Sequence, residues 1–362
     1  MAAVRLSDVA RQAGVSPATA SRVLNGSART PAAEIAERVR EVAAALGYIP
    51  NAQAQSLARS SSGLIGLVVH DIADPYFSSI ARGVQTAARE AGKTLLLIST
   101  ETPAEERVAV EALASRRADA IVIAGSRSCH PEHGDDNDAL AHAAARYEGN
   151  GGTLVMIGSP LIPQTHDGEG APAAPGSPDA AGASETMLLA IPNGPLAADL
   201  ARALVGAGWS RFAVVAGPGG LQTSDLRLEG FQRGLRDAGV AEATVLRAAF
   251  NRGGGFGAGE ELEALIRQKA DPLCVFAVND RMAMGAVAGL RARGLGVPAD
   301  YGIAGFDDID TLADFVPELT TVHLDLEQIG HDAASAALGA GTDGADLLPA
   351  EGRVVLRAST AR

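Results

Sequence analysis

The chain has 362 residues, of which 47% are hydrophobic and 20% are charged, proportions that exclude disordered, collagen-like and fibrous chains. Its net charge of -13 is uneven, because residues 1–60 carry seven arginines against four acidic residues while the remaining chain is strongly acidic. It has no apolar run approaching the ~20 residues of a membrane span and no apolar signal segment. Cys129 and Cys274 form no CxxC pair, so we expect a cytoplasmic protein without a disulfide scaffold.

Residues 1–49 are predicted to form three short helices around one small core. Ser7 is positioned to cap the first helix, and Ser16-Pro17 and Thr30-Pro31 are typical starts for the second and third. Gly47 is expected to end the third helix. Apolar residues at helical spacing are expected to form the core: Val9, Ala13, Val15, Ala20, Val23, Ile35, Val39, Val42 and Leu46.

From Leu64 onward, buried strands alternate with amphipathic helices, which predicts an α/β fold with parallel sheets and right-handed crossovers. The predicted strands are LIGLVV (64–69), TLLLIS (94–99), AIVIAG (120–125), TLVMIG (153–158), MLLAI (187–191), RFAVVAG (211–217), LCVFAV (273–278) and YGIAGF (301–306). The predicted helices between them cover residues 78–91, 105–116, 195–206, 226–238, 259–269 and 281–293. Four strands precede residue 160 and the others follow residue 187, which predicts two similar lobes.

The segment between these two groups of strands, residues 163–186, differs from both in composition. Ala, Gly and Pro make up 14 of its 24 residues. Such a sequence cannot bury enough apolar surface to order itself, so we expect a disordered insertion.

The N-terminal helices form a helix-turn-helix pattern in LSDVARQAGVSPATASRVLNG (6–26), with Gly14 at the turn. The second helix of such a motif enters the major groove of DNA. Pro17, Ala18 and Arg22 are expected to face the bases, and Arg22 can contact guanine through two hydrogen bonds. Side chains suited to contacts with phosphates are Ser16, Thr19, Ser21 and Asn25. A small helical domain without DNA-binding function would show the same helix pattern.

Several segments, in order, resemble the LacI/GalR family of bacterial transcription regulators. They are DVARQAGVSPATASRVLNG, LGYIPNAQAQSLARS (46–60), LIGLVVHDIADPYFSSIARGV (64–84), FAVVAGPGG (212–220), DLRLEGF (225–231), VFAVNDRMAMGA (275–286), GIAGFDD (302–308) and PELTTVHLD (317–325). The resemblance covers nearly the whole chain.

This resemblance implies a helix-turn-helix head at residues 1–49, a hinge helix at 50–60 and a two-lobed core like a periplasmic binding protein at 61–362. The chain is expected to cross between lobes near 160–187, 322–324 and 346–350. These crossings give the expected lobe boundaries: about 61–162 and 324–346 for the first lobe, and about 187–322 and 350–360 for the second.

The resemblance also assigns DNA contacts to the hinge. Asn51 can cap the hinge helix, and Leu57 matches the leucine that the family inserts into the minor groove, where an apolar wedge bends the duplex. The Ala/Gln/Ser content of this segment is also compatible with an ordinary linker.

Seven residues of the core match the family's effector-contacting positions: Asp74, Tyr76, Phe77, Arg227, Phe250, Asn279 and Asp307. Their polar groups can exchange hydrogen bonds with hydroxyls, and aromatic rings can cover the apolar face of a sugar. Each of them could instead be a salt bridge between the lobes or a core aromatic. Pro192-Asn193 and Trp209 depart from the family pattern, which weakens the assignment of contacts at that edge of the cleft.

Two other motifs are weaker. Cys129, His130 and His133, followed by acidic residues, contain possible metal ligands, but we interpret the segment as a solvated polar loop. The run GGGFGAG (253–259) lacks the context of a dinucleotide-binding fingerprint and is interpreted as a loop opening a helix.

Taken together, the sequence predicts a repressor that binds a palindromic double-stranded operator as a homodimer. It is expected to respond to a small-molecule effector, a sugar or sugar derivative, without a metal, cofactor or membrane. A solute-binding protein would share the lobes but would have a signal peptide and no helix-turn-helix. An enzyme would need a nucleophile with a nearby base, and none is recognisable in the sequence.

Overall fold

The computed structural model describes residues 4–25, 31–49, 61–161, 186–268, 271–339 and 347–362. The chain divides into two compact units, a head of residues 1–63 and a core of residues 64–362. The predicted hinge contacts of Asn51 and Leu57 lie outside the described residues, as does the predicted insertion except for its last residue, Thr186.

The described head contains three helices, α1 (Leu6–Gln12), α2 (Pro17–Asn25) and α3 (Ala33–Leu46). The prediction of Ser7 as the first cap is wrong, because α1 already begins at Leu6 and Arg5 is its N-cap residue. The backbone N–H of Arg5 donates to Asp8 at 3.0 Å. The predicted Thr30-Pro31 start is also wrong, because the backbone is still extended at Ala32. Gly47 ends α3 in the left-handed conformation (φ 64°), as predicted.

The faces that these helices turn toward one another are mostly alanine and valine. The head core is formed by Val9, Ala10, Ala13, Ala20, Val23, Ala36, Val39 and Ala43. Arg38 of α3 adds a polar contact by donating from Nε to the carbonyl of Ala13, just beyond α1, at 3.0 Å. The predicted core residues Val15, Ile35, Val42 and Leu46 are only partly buried at its edge.

The core unit contains two parallel sheets, which confirms the predicted fold class. The strands are β1 (Leu64–Val69), β2 (Thr94–Ser99), β3 (Ala120–Gly125), β4 (Thr153–Gly158), β5 (Met187–Ala190), β6 (Arg211–Ala216), β7 (Thr244–Arg247), β8 (Leu273–Ala277), β9 (Tyr301–Ala304), β10 (Thr321–Leu324) and β11 (Gly352–Val355). The first sheet has the order β2-β1-β3-β4-β5 and the second the order β7-β6-β8-β9. Strands β10 and β11 form a separate antiparallel pair.

Helices connect these strands. They are α4 (Pro75–Glu90), α5 (Pro103–Ser115), α6 (Gly134–Gly149), α7 (Asn193–Gly206), α8 (Gln222–Asp237), α9 (Arg252–Gly257), α10 (Gly259–Arg267), α11 (Asp280–Arg291) and α12 (Leu326–Ala337). We call the first sheet with α4, α5, α6 and α12 the first lobe, and the second sheet with α7 to α11 the second lobe. None of the described helices is long and apolar enough to span a membrane.

The predicted start of the second lobe at residue 187 is wrong, because β5 belongs to the first sheet. It pairs in parallel with β4, with Val155 opposite Met187 and Gly158 opposite Ala190. The apolar run of β5 thus adds a fifth strand to the first sheet beside β4. The chain therefore enters the second lobe only after Ala190. The chain returns to the first lobe through α12, which packs closely against α4. This close packing requires glycine at position 83, because a Cβ there would lie 1.9 Å from the Glu327 carbonyl oxygen.

Two segments interpreted as loops are helical. Beyond His133 the chain forms α6, in which Leu140, Ala144 and Tyr147 are buried at helical spacing and Asp135 lies in the first turn, where the helix dipole favours a negative charge. The glycine-rich run forms α9 and the start of α10. The close packing of α9 against α11 depends on the missing side chains, since a Cβ on Gly255 would lie 2.0 Å from the carbonyl oxygen of a residue in α11.

Candidate ligand-binding cleft and DNA-binding helix

A cavity of about 570 Å³ lies between the two lobes of the core unit. Its walls are formed mainly by residues just beyond the carboxyl ends of parallel strands, the usual ligand position in open α/β sheets. All seven predicted effector-contacting residues line it: Asp74, Tyr76, Phe77, Arg227, Phe250, Asn279 and Asp307. Its volume is within the range of small-molecule sites.

Arg227 is held rigidly in this cavity although only 1% of its surface is exposed. Its three guanidinium nitrogens donate to Asn193 Oδ1, the Val278 carbonyl and Asp307 Oδ1, each at 2.8 Å. The guanidinium carbon lies 3.8 Å from the centroid of the Phe306 ring. A buried cation with this many fixed partners is preorganised, so its remaining N–H groups point from a defined position.

Asp307 connects the cavity to the strand β10 through an unusual backbone conformation. Its φ of 115° is rare for a residue with a side chain. Its N–H donates to the carbonyl of Val322 in β10 at 2.9 Å. Burial raises the pKa of Asp307 to about 6, and the neighbouring Arg227 opposes that rise. The carboxylate is therefore charged at neutral pH and paired with Arg227.

The first-lobe residues are organised by the start of α4. Asp74 caps the helix by accepting from the Tyr76 N–H at 3.0 Å, and its second oxygen accepts from Arg281 of the second lobe at 2.9 Å. This contact is a salt bridge between the lobes, the alternative role considered for the predicted residues. Tyr76 and Phe77 stack edge to face with ring centroids 5.0 Å apart, and burial raises the pKa of the Tyr76 hydroxyl.

Phe250 and Asn279 line the second-lobe wall. Phe250 is partly buried in the loop between β7 and α9, where its ring adds apolar surface. Asn279 caps α11 by accepting from the Met282 N–H at 2.7 Å through Oδ1. The cap fixes the side chain and leaves its amide NH₂ group as the donor for a ligand.

Several polar residues of the cavity were not among the predicted contacts, and two of them hold predicted ones in place. Asn193 opens α7 and holds Arg227, and Arg281 pairs with Asp71 and Asp74. Both lie in the first turn of the helix that follows a strand, Asn193 after β5 and Arg281 after β8, and this placement is the sequence signal for such positions. Trp209 instead lies in the protein core, where its ring nitrogen donates to the carbonyl of Thr360 at 3.0 Å.

The lobes also contact each other through the loop after β3. Three hydrogen bonds of 2.7, 2.9 and 3.1 Å join it to the loop before α8 and to the first turn of that helix: Cys129 N–H to the Gly220 carbonyl, Gln222 N–H to the Arg127 carbonyl, and Thr223 N–H to Ser126 Oγ. Arg127 is itself anchored within the first lobe by a buried ion pair with Glu106. The described lobes are thus joined both by Arg281 and by this loop.

Two further carboxylates organise the crossing at β10. Asp280 is fully buried and accepts from Thr321 Oγ1 at 2.7 Å and from the Ile309 N–H at 3.0 Å, and burial raises its pKa well above the ordinary value. Asp308 is paired with Arg357 at 2.7 Å and with His323 at 2.9 Å, and these partners lower its pKa despite partial burial. Residues beside the cavity therefore bind directly to the strand through which the chain leaves the second lobe.

In the head, α2 presents the face expected to contact DNA. Pro17, Ala18 and Arg22 are exposed, whereas Ala20 and Val23 are buried against the other helices. The other predicted contact residues form local hydrogen bonds, from the Thr19 N–H to Ser16 Oγ at 3.1 Å and from Asn25 Nδ2 to Ser21 Oγ at 2.9 Å. A hydroxyl that accepts one of these bonds retains its own proton for a phosphate oxygen.

Models of known protein families match both the head and the core unit of this chain. Residues 5–51 match the model of bacterial regulatory proteins of the lacI family. Residues 62–150 match the periplasmic binding proteins and sugar binding domain of the LacI family, and residues 201–360 match a periplasmic binding protein-like domain.

Individual relatives match over nearly the full length. The HTH-type transcriptional regulator GalS of Salmonella typhimurium is 30% identical over 92% of this chain and 89% of its own length. The ribose operon repressor of Escherichia coli is 30% identical over 90% of this chain and 89% of its own. Among solved structures, the lac repressor dimer bound to operator and the anti-inducer ONPF has a TM-score of 0.78 at 24% identity, with complete coverage of both chains. The complex of the transcriptional regulator CelR with cellobiose has a TM-score of 0.64 at 26% identity, covering 98% of this chain and 99% of that one.

Proposed function

This chain belongs to the LacI family of bacterial regulatory proteins, and we propose that it is a cytoplasmic repressor whose affinity for operator DNA is set by a small molecule bound between its lobes. The observation that carries this proposal is the cavity, which brings seven separately predicted residues from both lobes together. A ligand enclosed by two lobes binds their closed and open arrangements with different affinity, and only such a difference shifts an equilibrium.

The head, residues 1–49, reads the operator. Pro17 and Ala18 contact base edges through apolar surface, and Arg22 donates to a guanine. Ser16, Thr19, Ser21 and Asn25 hold phosphates and so fix the position of α2 in the major groove. The exposure of Pro17, Ala18 and Arg22 on one helix face supports this assignment.

The hinge, residues 50–60, contributes the second DNA contact. Asn51 caps a short helix, and Leu57 inserts into the minor groove at the centre of a palindrome. A homodimer places two such helices side by side, because the symmetry of a palindromic site matches that of a two-fold protein. These roles rest on the family resemblance of the hinge sequence.

The ligand is a sugar or sugar derivative. Two relatives carry names or titles that refer to ribose and cellobiose. In this chain, Arg227, Asp307 and Asn279 provide donors and acceptors for hydroxyls, and Phe77 and Phe250 provide apolar surface for a ring. Asp74, the residue that caps α4, adds a carboxylate to the first-lobe wall of the cavity.

Catalysis is the alternative function of a cleft with charged residues. The relatives described above are named as regulators, and we assign no catalytic residue. A turnover assay with the ligand that binds distinguishes the two, since a sensor releases its ligand unchanged.

The proposal is tested by selecting DNA from a random library with the full-length protein and then measuring the affinity for the selected site. A palindrome is expected, and Arg22→Ala should lose about 1–3 kcal/mol of discrimination at one guanine in each half-site. Equal weakening on the selected site and on random DNA would assign Arg22 to a phosphate instead. Failure to enrich any sequence would contradict the DNA-binding function.

A further inference from the structure

The cavity is lined by more acidic than basic side chains. There are four carboxylates and two guanidiniums: Asp71, Asp74, Glu101 and Asp307, with Arg227 and Arg281. The lining also contains His70 and Tyr76.

Both guanidiniums are already paired with acids. Arg227 donates to Asp307 at 2.8 Å, which makes a neutral pair on the second lobe. Arg281 lies 3.2 Å from Asp71 and 2.9 Å from Asp74, so one cation serves two carboxylates of the first lobe. The positive charge of both guanidiniums is therefore already balanced by acids, so among the lining residues that the structure describes an incoming anion meets no arginine without a carboxylate partner.

Glu101 adds a further negative charge to the same wall. It follows β2, its side chain is exposed, and its backbone N–H donates to Glu105. In the part of the chain that the structure describes, no ion pair or hydrogen bond is recorded for its carboxylate. Together with the shared Arg281, this leaves the first-lobe wall with an excess of two negative charges.

We propose that the cavity selects against anionic ligands, so that it takes a neutral or amine-bearing polyhydroxylated molecule and rejects sugar phosphates and sugar acids. This inference rests on the proposed function, because it specifies the charge of the molecule bound in that same cleft. Electrostatic interactions in a cleft partly shielded from water are stronger than in bulk solvent, and unpaired like charges oppose binding. An ammonium group, by contrast, gains acceptors from Glu101 and Asp71.

Calorimetric titration of the full-length protein with matched sugars tests the proposal. The sets are D-glucose, D-glucosamine and D-glucose 6-phosphate, the three corresponding galactose compounds, and D-ribose with D-ribose 5-phosphate. In every set that binds, the phosphate should bind at least tenfold more weakly than the neutral or amine member, and lower salt should widen the difference. A phosphate that binds as tightly as its neutral counterpart overturns the charge selection but leaves the sugar-binding function intact. Absence of binding by every member would instead contradict the sugar-binding function on which the inference rests.

Two variants locate the selecting charges. Glu101→Gln and Asp71→Asn each remove one negative charge, while Asp74 still pairs with Arg281, so the ratio of phosphate to neutral affinity should rise severalfold. Glu260→Gln is the matched control, because Glu260 is an exposed acid of α10 outside the cavity lining. An unchanged ratio in both cavity variants, with wild-type melting temperatures, would overturn the assignment.

Discussion

Arg227 and Asp307 are the two residues on which the proposed ligand site depends most directly. They form a buried ion pair, and Arg227 also holds Asn193 and the Val278 carbonyl. Removing one member of a buried pair leaves the other uncompensated, at a cost of about 3–5 kcal/mol. The gentler substitution Asp307→Asn keeps an oxygen for Arg227 and removes the charge.

We predict that Asp307→Asn weakens ligand binding by roughly ten- to a hundredfold, because a hydroxyl loses a charged acceptor. DNA affinity without ligand should remain near that of the wild type, since Asp307 lies in the core unit. Calorimetry with the sugar that binds and electrophoretic DNA binding measure the two quantities. Arg236→Gln, which removes an exposed pair with Glu242, is the control. Wild-type ligand affinity in Asp307→Asn would remove this residue from the site.

The buried carboxyl group of Asp280 should make the stability of the protein depend on pH. Its pKa is raised in the folded protein by burial, so the folded state binds more protons than the unfolded state above about pH 4. The unfolding free energy therefore decreases as pH rises toward the folded-state pKa. Asp307, whose pKa is raised to about 6, contributes with the same sign, whereas the lowered pKa of Asp308 stabilises the protein at higher pH and loses this effect on acidification.

Urea unfolding of Asp280→Asn from pH 4.5 to 7.5 tests this prediction. The variant should become more stable relative to the wild type as pH rises, by up to about 1.4 kcal/mol per pH unit within the window. Asp314→Asn changes an exposed acid and should show a constant difference. If the difference for Asp280→Asn is also independent of pH, burial does not raise the pKa of this carboxyl.

At the level of elements, the lobes are connected by contacts that a ligand can strengthen or break. Arg281 at the start of α11 reaches Asp71 and Asp74, and the loop after β3 bonds to the loop before α8. The Arg281 pairs are partly exposed, with 28% of the arginine side chain accessible, so each contributes modestly to stability. We expect their effect to be on the balance between closed and open lobes.

Arg281→Gln should therefore increase the distance between the lobes in the ligand-free protein. Spin labels on the outer faces of α5 and α10, measured by double electron–electron resonance, report that distance. Arg293→Gln is the control, because Arg293 has similar exposure (29%) but pairs with Glu263 inside the second lobe. An unchanged distance distribution in Arg281→Gln would show that the remaining contacts, the hydrogen bonds of the loop after β3 and the Arg82–Asp310 pair, are sufficient to keep the lobes closed.

The sequence was most informative where one physical signal dominated. Continuous apolar runs predicted β1 to β4 with their correct bounds, because the inner strands β1, β3 and β4 of this parallel sheet are buried on both faces and the edge strand β2 is still half-buried. It was less informative where tertiary contacts decide: pairing with β4 places β5 in the first sheet, and packing of Leu140 and Tyr147 makes a helix of a polar segment.

The candidate site shows the same contrast. The seven cleft residues could be located through family resemblance, and the structure brings them to one cavity. The roles of Asn193 and Arg281 could not be predicted, because both depend on side chains more than 30 residues away in the chain. Only the folded structure brings such partners into contact.

At the scale of the whole molecule, the charge distribution separates two tasks. Residues 1–60 are basic and the rest of the chain is acidic. The acidic core disfavours contact with phosphates, which favours DNA binding by the basic N-terminal part of the chain. Coupling between ligand and DNA is then a difference in DNA affinity between two arrangements of the core, and it is reciprocal for the two ligands.

The most direct test of this account is the affinity for the selected palindromic DNA with and without a saturating concentration of the sugar that binds, for the wild type and for Asp307→Asn. The account predicts that ligand changes the wild-type Kd by about tenfold or more, a coupling of about 1.4 kcal/mol. At the same concentration it predicts a smaller change for Asp307→Asn, because the weakened cleft is occupied to a lesser extent. A sugar that binds the wild-type cleft but leaves its Kd for DNA unchanged would contradict the central claim that the cavity controls DNA binding.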